Sequence, residues 1–174
     1  MAIEAVEKAI RDIPDFPKPG IIFKDITPVL GSPALFAEVV DALCAPYADS
    51  PPDRVVAIES RGFIFGAAMA YKLGCGLVPV RKAGKLPYET NSASYELEYG
   101  EATLEIHIDA LEKGERVVVV DDLLATGGTA AAAAGLAKGL GAEVVGVDFV
   151  LELTFLKGRE RLAEYPVRAL IAVD

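Results

Sequence analysis

The chain is poor in the residues that mark most catalytic centres. It has one histidine and two cysteines among 174 residues. Cys44 and Cys75 lie far apart among small and apolar neighbours. They read as packing residues in a reducing compartment, since a zinc site needs more ligands. His107 falls in an alternating segment with Leu104, Ile106 and Ile108, which places it on a strand face. With one histidine and no Gly-x-Ser-x-Gly, a serine-hydrolase triad has little support. No apolar run approaches the roughly eighteen residues a spanning helix needs. The opening MAIEAVEKAIRDI is amphipathic and charged, unlike a signal peptide. A cytoplasmic protein without a membrane partner is expected. Positive charge is also scarce: 17 Lys and Arg against 26 Asp and Glu give a net charge of −9, which argues against a general nucleic-acid surface. G-x-x-x-x-G-K-[ST] is missing, and Gly74-Cys75-Gly76 and Gly139-Leu140-Gly141 each lack the third glycine of a dinucleotide fingerprint.

What the chain does have is alternation. Val55–Glu59, Leu77–Arg81, Val117–Asp121, Val144–Leu151 and Val167–Val173 are β-rich apolar runs. Between them Ala34–Leu43, Phe63–Leu73, Ala130–Leu140 and the shorter Lys157–Ala163 carry helical spacing or composition. Pro33 suits a first helical turn, and Gly74 and Gly141 suit helix ends. The expected fold class is α/β, a mostly parallel sheet flanked by helices, formed as one domain over residues 1–174. Two stretches break the rhythm. Residues 14–31, PDFPKPGIIFKDITPVLG, are rich in proline and glycine yet carry several large apolar side chains, and read as an ordered flap. Residues 83–106 are polar and turn-rich, then weakly alternating. A loop of that length in a compact domain is usually a lid or a binding element.

The most informative stretch is VVVVDDLLATGGT, residues 117–129. Four valines predict a strand buried on both faces. Two carboxylates then stand at its carboxyl end, where ligands bind in open α/β sheets. Two like charges side by side cost stability unless something cationic or hydroxylated meets them. Thr126, Gly127, Gly128 and Thr129 precede a helix expected from about Ala130. Backbone N–H groups at a helix start, bare glycines and hydroxyls suit a phosphate, while Asp121 and Asp122 suit vicinal hydroxyls. A ribose 5-phosphate fits both. Two cationic clusters accompany this segment: Arg61 in Glu59-Ser60-Arg61-Gly62, and Arg81, Lys82 and Lys85, each just after a predicted strand.

VVVVDDLLATGGT resembles the phosphoribosyl-diphosphate signature of type I phosphoribosyltransferases. FPKPGIIFKDITPVL, ESRGFIFG, RKAGKLP, SYELEYG and ELTFLKGRE narrow the resemblance to adenine phosphoribosyltransferases, over about residues 16–161. The resemblance implies the type I fold with a small N-terminal hood (1–31) and a mobile lid loop (83–106). It also implies transfer of the phosphoribosyl group to adenine, giving AMP and pyrophosphate in purine salvage. Asp121 and Asp122 would take the ribose hydroxyls, and Ala125, Thr126, Gly127, Gly128 and Thr129 the 5′-phosphate. Ser60, Arg61, Arg81, Lys82 and Lys85 would meet the pyrophosphate half. Ile22, Phe23 and Lys24 would line the adenine pocket, with Phe23 stacking and Leu123 covering the opposite face. Glu98 would handle a purine-ring proton, Tyr99 would gate the site, and Arg61 would share in catalysis. Magnesium held by the substrate diphosphate and a homodimer with residues 81–85 near its interface are further implications.

Overall fold

The computed structural model describes residues 2–96 and 100–174. The chain divides into two compact units, Met1–Ala42 and Leu43–Asp174. The first begins with helix α1 (Ala2–Ala9), continues through an antiparallel pair, β1 (Arg11–Pro14) and β2 (Ile22–Asp25), and reaches the short helix α2 (Thr27–Leu30). The proline-rich flap thus contains a strand. Its fold is fastened locally. Arg11 bonds Asp25 at 2.7 Å and Lys24 bonds Asp12 at 2.6 Å, and the Phe16 and Phe23 rings meet edge to face at 5.2 Å. Helix α3 (Pro33–Cys44) runs across the division.

The second unit is a seven-stranded sheet. Its strands are β3 (Arg54–Ile58), β4 (Gly76–Lys82), β5 (Thr90–Glu96), β6 (Glu101–His107), β7 (Arg116–Leu124), β8 (Glu143–Leu153) and β9 (Val167–Val173). The spatial order is β5-β6-β4-β3-β7-β8-β9. All pairs from β4 to β9 are parallel, and β5 and β6 are antiparallel. Helix α4 (Arg61–Leu73) joins β3 to β4, and helix α5 (Gly128–Gly139) joins β7 to β8. The mostly parallel sheet flanked by helices is therefore as the sequence predicts. Val117 to Val120 show no exposure, as expected for a central strand covered on both faces. One core layer gathers Val56, Ile58, Val78, Val117, Val119 and Phe149 under Ala130, Ala133, Ala134 and Ala137 of α5. The alanines let that helix lie close to the sheet.

Three local expectations change. Residues 90–96 and 101–107 are not loop but a hairpin, paired from Thr90↔His107 to Glu96↔Glu101. Its β5 strand is polar because it is the sheet's edge and largely exposed; Leu104 and Ile106 of β6 enter the core. His107 does lie on a strand, half-buried, and accepts the Tyr88 N–H at 3.3 Å. Lys157–Ala163 forms 3-10 turns (Thr154–Leu156 and Gly158–Leu162) in place of an α-helix. Strand β7 extends to Leu124 and α5 begins at Gly128, so both aspartates lie within the strand, near its carboxyl end.

Strand order fixes where chemistry sits. From β3 the chain steps through α4 to β4 on one side, and from β7 through α5 to β8 on the other. Neighbouring parallel strands whose connections diverge leave a crevice at their carboxyl ends. Ala57 pairs with Val120, so that crevice opens between Glu59–Arg61 and Asp121–Asp122.

Candidate active site

Two adjoining clefts occupy the switch point. The larger, about 590 Å³, is lined by Glu59, Ser60, Arg61, Lys82, Lys85, Tyr95, Ala102, Leu104, Asp121, Asp122 and Thr129. The smaller, about 170 Å³, is lined by Arg61 and by Asp121 to Gly127 with Thr129 and Ala130. They share Arg61, Asp121, Asp122 and Thr129. Residues that the sequence assigns to one ligand thus converge from the ends of β3, β4 and β7, and the hairpin adds Tyr95, Ala102 and Leu104 to the wall.

The acid pair is held from two sides. Asp122, 4% exposed, accepts Arg61 Nε at 2.8 Å. Asp121 Oδ1 accepts the Asp122 N–H at 2.8 Å. Burial raises the Asp121 carboxyl pKa well above its ordinary value, and the Asp122 charge adds to the rise, against the opposing pull of the Asp122 N–H and Arg61. Arg61 reaches Asp122 because α4 starts against β7. A Cβ on Gly62 would stand 2.8 Å from the Val120 carbonyl and 3.0 Å from Asp121 Oδ1, so only glycine permits that approach. Ser60 precedes the helix, exposed, and its hydroxyl makes no capping bond.

The segment after the acids forms an anion cradle. Gly127 adopts a left-handed φ of +83° at the N-cap of α5 without a side-chain cap, leaving the first helical N–H groups directed outward. A Cβ there would strike the Gly158 carbonyl, and one on Gly158 would strike the Ala125 carbonyl and Leu124. The cradle is therefore built on close backbone approach to Gly158. Arg159 fixes that support: it bonds both carboxylate oxygens of buried Glu152 at 2.7–2.9 Å and the Val167 carbonyl at 2.9 Å. Thr126 is exposed and Thr129 half-buried.

The second cationic cluster is ordered by an acid. Glu59, whose side chain is 7% exposed, accepts Lys85 Nζ, the Lys82 N–H at 3.0 Å, and Arg81 Nε and a terminal guanidinium nitrogen at 3.3 and 3.4 Å. Burial alone would raise its pKa; Lys85, the Lys82 amide and Arg81 outweigh this and bring it down to about 2. Lys82 and Lys85 line the larger cleft, whereas Arg81 is turned to Glu59 and the Lys85 carbonyl.

Tyr95 has no role in the sequence reading. Its hydroxyl accepts Thr129 Oγ1 at 3.0 Å. Its ring and the Arg161 guanidinium each stand 3.1 Å from where a Cβ on Gly128 would lie. The alternation of Ala93 and Tyr95 was the available signal, since both pack toward the core from β5. Leu123 lines the smaller cleft. Ile22, Phe23 and Lys24 lie on β2 of the first unit, with Ile22 exposed and Lys24 ion-paired to Asp12. Glu98 and Tyr99 lie outside the described residues. Among the described residues no group of three or more His, Cys, Asp or Glu side chains is arranged to hold a metal ion.

A family model, the phosphoribosyl transferase domain, matches residues 32–165. A curated adenine phosphoribosyltransferase from Acidothermus cellulolyticus is 58% identical over 98% of this chain and 96% of its own length. The chain belongs to the adenine phosphoribosyltransferase family. Solved structures of adenine phosphoribosyltransferases agree. That from Thermoanaerobacter pseudethanolicus superposes with a TM-score of 0.95 at 53% identity, covering 98% of this chain and 99% of that one. The Saccharomyces cerevisiae enzyme, complexed with D-2,5-dideoxy-2,5-imino-altritol 1,6-bisphosphate and adenine, gives 0.92 at 44% identity over 97% and 98%. Membership extends over nearly the whole chain, so the family's fold accounts for both units. No helix among the described residues is long and apolar enough to cross a membrane.

Proposed function

We infer that this chain transfers the 5-phosphoribosyl group of phosphoribosyl diphosphate to adenine, giving AMP and pyrophosphate. The observation that carries this reading is the meeting of Asp121 and Asp122 with the Gly127 cradle and a cationic rim in one crevice. Asp121 and Asp122 accept the ribose 2′ and 3′ hydroxyls. Ala125 to Thr129 enclose the 5′-phosphate with N–H groups, the α5 dipole and threonine hydroxyls. Across the cleft Ser60, Arg61, Lys82 and Lys85, with Arg81 behind them, receive the diphosphate.

The chemistry follows from this division. As the bond from the anomeric carbon to the diphosphate oxygen lengthens, negative charge grows on the leaving pyrophosphate and the sugar becomes oxocarbenium-like. Fixed cations aimed at those oxygens favour the transition state over the bound donor. Holding the pentose at both ends aligns the anomeric carbon with adenine N9, and the new C–N bond forms as the old C–O bond breaks. Adenine is gripped by Phe23 stacking and by the backbone at Ile22 and Lys24, with Leu123 opposite. Glu98 takes the imidazole-ring proton and Tyr99 gates the closed site, excluding water from a hydrolysable donor. Residues 1–31 act as a hood and residues 83–106 as the lid of one functional domain spanning 1–174.

The hard oxygens present suit magnesium only in part. Asp121 and Asp122 are carboxylates, but Asp122 is already engaged by Arg61, so the diphosphate supplies most ligands of a substrate-carried ion. Bound there, magnesium would neutralise charge on the diphosphate oxygens. A homodimer in the cytoplasm completes the reading, with residues 81–85 near the interface and no nucleic-acid or membrane partner. The test is pyrophosphate release with adenine, guanine, hypoxanthine and orotate in parallel. Release with adenine far above the others is expected; equal or greater release with another base would displace adenine as the acceptor.

A further inference from the structure

A carboxylate on the wall of an anion-binding cleft is a contradiction unless its neighbours explain it, and Glu59 is such a carboxylate. Among the described residues, the side-chain hydrogen bonds to its carboxylate come from residues 81–85, the end of β4 and the turn after it. That segment carries Arg81, Lys82 and Lys85, which repel one another and would spread into solvent without a counter-charge. The two carboxylate oxygens have different tasks. Oε2 is fixed by the Lys82 N–H at 3.0 Å and Arg81 Nε at 3.3 Å, both anchored at the end of β4. Oε1 takes Lys85 Nζ, the far end of a flexible side chain, and a longer bond of 3.4 Å from an Arg81 terminal nitrogen. Arg81 closes the ring by donating to the Lys85 carbonyl at 3.2 Å. Exposure rises outward, from 7% for the Glu59 side chain to 34% for Arg81 and 46% for Lys85. The acid side chain is enclosed, Lys82 and Lys85 line the cleft, and Arg81 stands between Glu59 and the Lys85 carbonyl.

We propose that Glu59 is a positioning residue for the transfer, holding Lys85 directly, and through Arg81 the Lys85 carbonyl, in the place from which the lysine meets the diphosphate. It rests on the reading of residues 81–85 as diphosphate ligands. One negative charge against three positive ones leaves the turn net cationic, so Glu59 orders the cluster without cancelling it. When diphosphate arrives, Lys85 Nζ is already at the cleft wall and exchanges one anionic partner for another. The ordering entropy of two long side chains has then been met during folding instead of during binding. Because the carboxylate stays ionised down to strongly acidic pH, this ordering holds throughout the working range.

The test uses the full chain and inorganic pyrophosphate as probe, with steady-state kinetics alongside. Glu59→Gln keeps the side-chain shape and an acceptor for the Lys82 N–H but removes the charge. It is expected to weaken pyrophosphate binding and raise KM for phosphoribosyl diphosphate about tenfold, the scale of one charge-assisted hydrogen bond. KM for adenine and the affinity for ribose 5-phosphate, read at the other end of the site, should stay within about twofold, a split that general destabilisation does not produce. Glu59→Asp retains the charge but retracts it, and is expected to fall between, at about threefold. Should Glu59→Gln melt below the assay temperature, Glu59→Asp carries the test alone. Unchanged or tighter pyrophosphate binding in the readable variant overturns the proposal, as does an equal loss of ribose 5-phosphate affinity. Lys85→Met separates the two readings. If it weakens pyrophosphate binding while the Glu59 variants do not, only the positioning role fails. If Lys85→Met also leaves binding unchanged, the assignment of this turn to the diphosphate fails with it.

Discussion

Replacing Asp121 with asparagine should make the free protein more stable and a worse enzyme at once. Asp121 is a half-buried carboxyl beside the buried Asp122, and its raised pKa records that the ionised form is disfavoured there. Asparagine has nearly the same volume and keeps an acceptor for the Asp122 N–H, now bonded at 2.8 Å. It removes the charge. Like charges on adjoining side chains repel by about 1–4 kcal/mol over the dielectric range from bulk water to a protein surface. Arg61, bonded to Asp122 at 2.8 Å, offsets part of this, leaving a net gain of about 1–2 kcal/mol. In a chain of this size that is a rise in Tm of about 2–8 °C. The sign with pH follows from linkage. A carboxyl whose folded pKa is raised contributes stability that is full below its unfolded pKa and is lost as pH climbs through the folded value. The advantage of Asp121→Asn should therefore be largest at pH 7–8 and vanish near pH 4, where the folded wild type is protonated at this site. Donor binding moves the other way, weakening at least about tenfold as a charge-assisted bond to a ribose hydroxyl is lost. Thermal unfolding across pH 4–8, with and without ribose 5-phosphate, reads both effects. A lower Tm for the variant at pH 7.5, or a difference that persists unchanged at pH 4, would refute the electrostatic argument.

Other perturbations separate the cradle from its supports. Gly127→Ala places a Cβ against the Gly158 carbonyl at a left-handed φ, where neither backbone can yield. A loss of about 3 kcal/mol is expected, seen as a Tm lower by about 6–12 °C; an unchanged Tm would mean that the loop relaxes freely. Arg159→Met leaves Glu152 buried without its cation and should cost about 3 kcal/mol in chemical denaturation. Adding Glu152→Gln should recover much of that loss, and no recovery would exclude the stranded charge as its cause. Tyr95→Phe removes the partner of the Thr129 hydroxyl. It should cost about 1 kcal/mol of stability and raise KM for phosphoribosyl diphosphate more than KM for adenine. Equal effects on both would show that Tyr95 serves only packing.

Legibility in the sequence tracked the range of the interaction involved. Val117 to Val120 announce a doubly covered strand because burial on two faces needs four apolar residues in a row, and Ala130 to Ala134 announce a helix that packs tightly. The acid pair and the glycines that follow it are equally local. The hairpin at residues 90–107 was obscured because its outer strand faces solvent and carries few apolar side chains. Glu59 and Tyr95 were obscured for a related reason: their partners, Lys85 and Thr129, are distant in sequence and adjacent only once the sheet has formed.

The amino-acid order by itself therefore determined the parallel α/β class, the strand that ends in two carboxylates, the helix start that suits a phosphate, and the family those motifs resemble. Only the folded sheet decided that β3 lies beside β7, with their connections leaving in opposite directions. That adjacency sets Arg61 on Asp122, and the neighbouring placement of β4 sets the 81–85 turn on Glu59. Periodicity and propensity act within a few residues, whereas strand order is selected by how whole βα units bury their faces against one another.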